Sequence, residues 1–265
     1  MTPAARVLRD VVFAEHPGFR PVSLDLHLPA SEGPHLVVLQ LHGGGWRVGT
    51  RAVFTPLVSE ARSFGRITAA GLAVVAADYR LSGEATFPAQ VDDVERALDW
   101  IAEHGPQHGL DPQRVVLWGG SAGGTLAALT AFRHPDRVRG VIDWYGVSDL
   151  LAMATKDATA GSREALWLGA PAADIPEVAI AASPVRQVAP DSPPFLLAHG
   201  ADDTDVPASQ SESLAAALVA AGVSAELHVI PNVGHFWREA DEEVTDRIFD
   251  EAIDFALKVT SSTFA

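Results

Sequence analysis

The stretch Trp118-Gly119-Gly120-Ser121-Ala122-Gly123-Gly124 decides the fold. The apolar run Val115-Val116-Leu117 precedes it, and a helix-like stretch over residues 125–132 follows. Strand, tight turn and helix in that order lift the middle serine to the tip of the turn. Backbone at such a turn is strained, and bulky neighbours would clash, so small residues at 119, 120, 122 and 123 suit it. The turn also sets Ser121 at a helix N-terminus, where free N–H groups and the helix dipole favour a developing anion. Ser121 is therefore the expected nucleophile. The competing readings are a glycine-rich turn with an incidental serine, or a phosphate cradle. A dinucleotide fingerprint fits poorly, because it needs G-x-G-x-x-G in the first strand–helix unit.

Apolar runs at residues 36–41, 72–77, 114–118, 138–144 and 195–198 read as strands buried on both faces, and 226–230 as a more polar one. Val22–Leu28 alternates apolar and polar residues, as a half-buried antiparallel strand does. Between the strands, Val91, Val94, Leu98 and Ile101 keep the spacing of one helix face. Leu214 and Leu218 mark another helix, closed by Gly222, and Val244, Ile248, Ala252 and Ala256 a C-terminal one. The alternation predicts an α/β fold: a mostly parallel sheet of about eight strands with helices on both faces. Residues 147–190 hold no clear strand. They are expected to form a short, partly helical insertion over the active site, or a second helix layer without substrate contact. One domain over residues 1–265 is the expected organisation.

The first buried strand ends in Leu41-His42-Gly43-Gly44-Gly45-Trp46. A tetrahedral intermediate needs rigid N–H donors about 3 Å from its oxyanion, and glycines let the backbone turn its N–H groups that way. The expected oxyanion hole is Gly44 and Gly45 together with Ala122; His42 is expected to buttress the loop. A general base belongs on a loop above the last strand, which selects His235 in Pro231-Asn232-Val233-Gly234-His235-Phe236-Trp237. The acid should fall between serine and histidine in chain order. Asp202, Asp203 and Asp205 compete in His199-Gly200-Ala201-Asp202-Asp203-Thr204-Asp205-Val206-Pro207. Spacing from the strand end favours Asp203, and Asp205 could instead cap the next helix.

The chain has 265 residues, 48% hydrophobic and 20% charged, with a formal net charge of −15. That balance disfavours nucleic acid, an anionic membrane surface and strongly anionic substrates. There are no cysteines, which removes disulfides, thiolate zinc sites and a cysteine nucleophile. No metal is expected: Gly105-Pro106 breaks the helix between His104 and His108, and no carboxylate completes a set. The N-terminus has no apolar signal core and no run is long enough to span a bilayer, so a cytoplasmic protein is the expectation.

His42-Gly43-Gly44-Gly45-Trp46, Asp78-Tyr79-Arg80-Leu81, Gly119-Gly120-Ser121-Ala122-Gly123-Gly124, His199-Gly200-x-x-Asp203-x-x-Val206-Pro207 and Gly234-His235 occur in this order. Together they resemble the α/β-hydrolase esterases of the hormone-sensitive-lipase and acetyl-xylan-esterase-like (BD-FAE-type) groups, over roughly residues 20–255. The resemblance implies an α/β-hydrolase fold and a Ser121–Asp203–His235 triad. It implies a carboxylesterase acting without cofactor on acyl or aryl esters of small molecules, with a homodimer left open; the short insertion over the site suggests an open pocket and short acyl chains. Two departures lean toward the smaller esterase-like group: about 35 residues precede the first central strand, and Ser82-Gly83-Glu84 replaces the usual Ala-Pro-Glu. The HGGxW segment also occurs in kynurenine formamidases, so formamide or amide hydrolysis is a rival, as is a non-catalytic receptor. Tyr79 and Arg80 are expected to brace the sheet edge. Trp46 and Phe236, which adjoin the catalytic segments, are the expected pocket walls; for Trp144, Tyr145, Trp167 and Trp237 core packing is the better expectation.

Overall fold

The structure, a computed structural model, describes residues 5–154 and 159–261. The strands are β1 (Arg6–Ala14), β2 (Val22–Leu28), β3 (His35–Leu41), β4 (Ala73–Ala77), β5 (Leu110–Gly120), β6 (Gly140–Trp144), β7 (Phe195–Gly200) and β8 (Ala225–Ile230). They form one sheet in the order β1-β2-β4-β3-β5-β6-β7-β8. β1, β2 and β4 pair antiparallel, and every other pairing is parallel. The helices are α1 (Phe64–Ala69), α2 (Ala89–His104), α3 (Ala122–Arg133), α4 (Leu150–Ala154), α5 (Arg163–Leu168), α6 (Pro176–Ala181), α7 (Ser209–Ala220) and α8 (Glu242–Ser261).

The continuous apolar runs follow from a sheet covered twice. Successive side chains of a strand point to opposite faces. In β3, Val37, Leu39 and Leu41 join α2, α3 and α7 in one core, while Leu36 and Val38 join α1 and α8 in the other. Each such side chain, fully buried, contributes roughly 1.5–3 kcal/mol. The expected α/β architecture holds, with one strand beyond those read from the sequence: β1, which lies at the edge and leaves most of its residues at least partly exposed.

β2 differs from its expected half-burial, since only Ser23 escapes the buried class. Its polar face is roofed over. The His27 ring stacks on Phe64 of α1 at 4.2 Å, and Asp25 takes hydrogen bonds from Arg51 at 2.8 Å and the Asp10 N–H at 2.9 Å. Alternation therefore reports on polarity, and the polar face here is covered by ring stacking on His27 and hydrogen bonds to Asp25, with His27 Nε2 left unpartnered.

The order of strands sets the site. The chain runs from β3 outward to β4, then returns to place β5 on the other side of β3. That reversal opens a crevice at the carboxyl ends of the strands, where ligands of open α/β sheets bind. Leu41, the last residue of β3, sits opposite Gly119 of β5. The glycine loop after β3 and the serine turn after β5 are thereby neighbours, 76 residues apart in sequence only because the β4 and α2 excursion lies between them.

Candidate active site

Ser121 occupies the turn between β5 and α3 with φ +55°. That is rare for a non-glycine residue and costs of order 1–3 kcal/mol. Its N–H donates to the Trp144 carbonyl at 2.8 Å, which pins the turn to β6. Close approach of the helix to β3 demands Gly123: a Cβ there would lie 2.1 Å from the Leu41 carbonyl oxygen.

The loop after β7 carries Asp203 and the loop after β8 carries His235. The Ser121 hydroxyl lies 3.1 Å from His235 Nε2, and His235 Nδ1 lies 2.6 Å from Asp203 Oδ2. An ionised carboxylate only accepts, so Nδ1 carries the proton and Nε2 accepts from the serine hydroxyl. All three residues are buried. The other oxygen of Asp203 accepts the N–H groups of Asp205 at 2.9 Å and Val206 at 2.8 Å. Burial pushes the Asp203 pKa up, but hydrogen bonds from His199 and His235 outweigh it and hold the carboxyl well below the usual range.

The glycine loop is held from beneath. Tyr79 donates its hydroxyl hydrogen to the His42 carbonyl at 2.9 Å, and the His42 ring stacks on it at 4.3 Å. Arg80 grips Asp93 of α2 through Nε and its backbone N–H, both at 2.8 Å. The pair braces this central loop rather than a sheet edge, because β4 lies between β2 and β3. Gly44 has φ +116° and its carbonyl accepts from the N–H groups of Arg47 and Val48, both at 3.2 Å. The N–H groups of Gly44, Gly45 and Ala122 donate to no other protein group among the described residues.

Of the two expected pocket walls, Phe236 lines a cavity of about 290 Å³ beside the serine, with Gly43, Gly44, Phe54, Thr55 and Tyr145. Trp46 is corrected: it is 1% exposed and its ring stacks on Trp167 at 4.0 Å. With φ +55° it turns away from the cavity and into the core. Tyr145 takes the wall position instead. Its ring lies 4.8 Å from that of His235, and its hydroxyl is 3.3 Å from that of Thr55. Trp144, Trp167 and Trp237 are core residues, as expected. A second cleft of about 400 Å³, beside His27 and Phe64, reaches none of these groups.

Asp205 caps no helix. It faces Arg163 of α5 and Arg238, each at 3.4 Å. The strand-free segment thus touches the site through α5, whose Arg163 also lies against Gly45; residues 155–158 of that segment lie outside the described residues. Trp167 of α5 further donates its indole N–H to the buried Gln90 at 2.9 Å. Trp167→Ala should therefore destabilise the fold by about 3–5 kcal/mol, from a cavity under Trp46 plus an unpaired amide oxygen. Urea unfolding measures it; a loss below about 1 kcal/mol would show that the stack carries little.

A family model described as BD-FAE matches residues 24–218, most of the chain and all of the site up to α7. The chain belongs to the BD-FAE family. Esterase LipQ of Mycobacterium tuberculosis is 33% identical over 84% of this chain and 55% of its own length. A second relative, the probable carboxylic ester hydrolase LipM of the same organism, is 33% identical over 66% of this chain and 43% of its own. The chain thus spans about half the length of these curated relatives. A bacterial heroin esterase superposes with a TM-score of 0.76 at 28% identity, over 98% of this chain and 85% of its own. A truncated carbohydrate esterase from gut microbiota shares the fold, with a TM-score of 0.86 at 23% identity over 99% of this chain and 100% of its own. The α/β-hydrolase architecture and the esterase-like resemblance expected from the BD-FAE-type motifs are both borne out. Among the described residues no helix is long and apolar enough to cross a membrane.

Proposed function

We propose that the chain is a serine carboxylesterase hydrolysing short-chain acyl or aryl esters of small molecules through an acyl-enzyme. The observation that carries the reading is the unbroken Ser121–His235–Asp203 hydrogen-bond chain at 3.1 and 2.6 Å. His235 Nε2 takes the serine proton as Oγ attacks the ester carbonyl. The oxyanion forms against the free N–H groups of Gly44, Gly45 and Ala122, each worth about 3–4 kcal/mol of barrier. His235 then protonates the leaving alcohol. Water repeats the sequence, losing its proton to His235 and releasing the acid as Oγ regains its own.

The cavity lies at the small end of the range for small-molecule pockets and takes the acyl group. Each buried methylene contributes about 0.8 kcal/mol, close to fourfold in kcat/KM while room lasts. Across p-nitrophenyl esters from acetate to decanoate, kcat/KM should rise over the first few methylenes and then collapse. A monotonic rise to decanoate would exclude this cavity as the acyl site. Stoichiometric labelling of Ser121 by a fluorophosphonate tests the nucleophile itself. Formamide hydrolysis faster than that of every ester would replace the ester reading.

A further inference from the structure

One histidine of the triad region has no part in the steps above. His199, at the end of β7, is 0% exposed. Its Nε2 lies 2.9 Å from the Val206 carbonyl oxygen and 3.3 Å from Asp203 Oδ2. Its Nδ1 lies 2.7 Å from the Ser211 hydroxyl of α7. A carbonyl can only accept, so Nε2 carries the hydrogen of the neutral ring and Nδ1 accepts from Ser211. The Nε2–H is then shared between the Val206 carbonyl and the same carboxylate oxygen that receives His235 Nδ1–H. Asp203 Oδ1 thus accepts two backbone N–H groups, and Oδ2 takes the His235 Nδ1–H at 2.6 Å with the His199 Nε2–H as a second, longer contact at 3.3 Å.

Resting on the triad reading above, we propose that His199 is a positioning residue. Oriented by Ser211, it fixes the aim of Asp203 Oδ2 and moderates its basicity toward His235. A carboxylate that shares its charge with a second donor attracts the His235 proton less strongly. Other groups facing the pair are Tyr145, whose ring is 6.5 Å from that of His199, and Asp143 of β6. Asp143 is buried with one oxygen unpartnered, and burial pushes its carboxyl up to about 7 against the opposing pull of His199 and the Gly146 N–H. Asp203, held well below the usual carboxylate range, bears the firm negative charge of this layer, and the His199 and His235 N–H groups both face its Oδ2.

Removing the His199 donor makes Asp203 a stronger partner for the His235 imidazolium, so His235 holds its proton to higher pH. The acid limb of kcat/KM should move up by roughly half a unit to one unit in His199→Leu. kcat should fall about tenfold, the worth of one hydrogen bond to a charged group, with KM changed little. His199→Gln offers an amide N–H near the Nε2 position and should return the limb toward that of the parent. Ser211→Ala, which leaves the ring tautomer unfixed, should shift it upward by less. The profiles are taken on the full chain with p-nitrophenyl acetate from pH 4.5 to 9, beside thermal unfolding of each variant. They are repeated in an Asp143→Asn background so that this carboxyl cannot supply the shift.

Lowered Tm with an unmoved limb in His199→Leu and Ser211→Ala would overturn the proposal, leaving His199 as packing alone. Should His199→Leu not fold, the Ser211→Ala limb decides: upward supports, unmoved overturns. Fluorophosphonate labelling of the parent chain separates the two levels. A parent that is not labelled at Ser121 refutes the triad reading, whereas a labelled parent with unmoved limbs refutes only the role of His199.

Discussion

Ser121→Ala should lower ester hydrolysis by about 10⁴- to 10⁶-fold while leaving the fold intact. The loss is chemical, because the nucleophile is gone and His235 has no hydroxyl to deprotonate. The structural cost is small. The serine hydroxyl has His235 as its hydrogen-bond partner, and its backbone anchor is the N–H to the Trp144 carbonyl. Alanine keeps that anchor and meets the same φ of +55° with a Cβ of the same kind. What survives should be slow hydrolysis by water assisted by the glycine-loop and Ala122 N–H donors. kcat/KM on p-nitrophenyl acetate and the unfolding midpoint, read together, make the check. Activity above a few parts per thousand in a folded variant would remove Ser121 from the nucleophile role.

Asp203→Asn should cost about 10⁴-fold in kcat. The reason lies in the orientation that the loop imposes. Two backbone N–H groups, of Asp205 and Val206, point at Oδ1 and require an acceptor there. The asparagine carbonyl must take that place, so its NH₂ replaces Oδ2. There it meets His235 Nδ1 and the His199 Nε2–H, donor against donor on the His199 side. His235 escapes only by moving its proton to Nε2, and then it cannot accept from Ser121. Asp205→Asn is the control. Asp205 makes only partly exposed ion pairs with Arg163 and Arg238, so its loss should change kcat/KM less than about threefold. Equal damage from both variants would contradict the assignment of Asp203.

Legibility in the sequence differed by kind of residue. Ser121, the glycine loop and His235 could be read because each stands at a strand end with a demand that few residue types meet. For Asp203 the local reading weighed three carboxylates and favoured it only on spacing from the strand end. The loop, which folds two N–H groups onto it and sets Oδ2 2.6 Å from His235 Nδ1, separates it from its neighbours in space. The aromatics were harder. Trp46 follows the glycine loop in sequence yet packs on Trp167, and Tyr145, which adjoins the last residue of β6, faces the cavity. Both have positive φ, +55° and +45°. A reversal of backbone direction at one residue sends a side chain opposite to the way its neighbours suggest, and no local periodicity records it.

Hydrophobic periodicity and turn chemistry are local, so residues within one element sufficed for the strand–helix alternation and the serine turn. Strand register is not local. It set Leu41 beside Gly119, and so the glycine loop beside Ser121. The packing of α7 against β7 put Ser211 on His199 and His199 on Asp203, across contacts whose sequence separation carries no pattern. The turn that lifts Ser121 was written in seven consecutive residues; its hydrogen-bond chain to His235 and Asp203, the second histidine beside Asp203, and the cavity walls exist only once the strands have packed into one sheet.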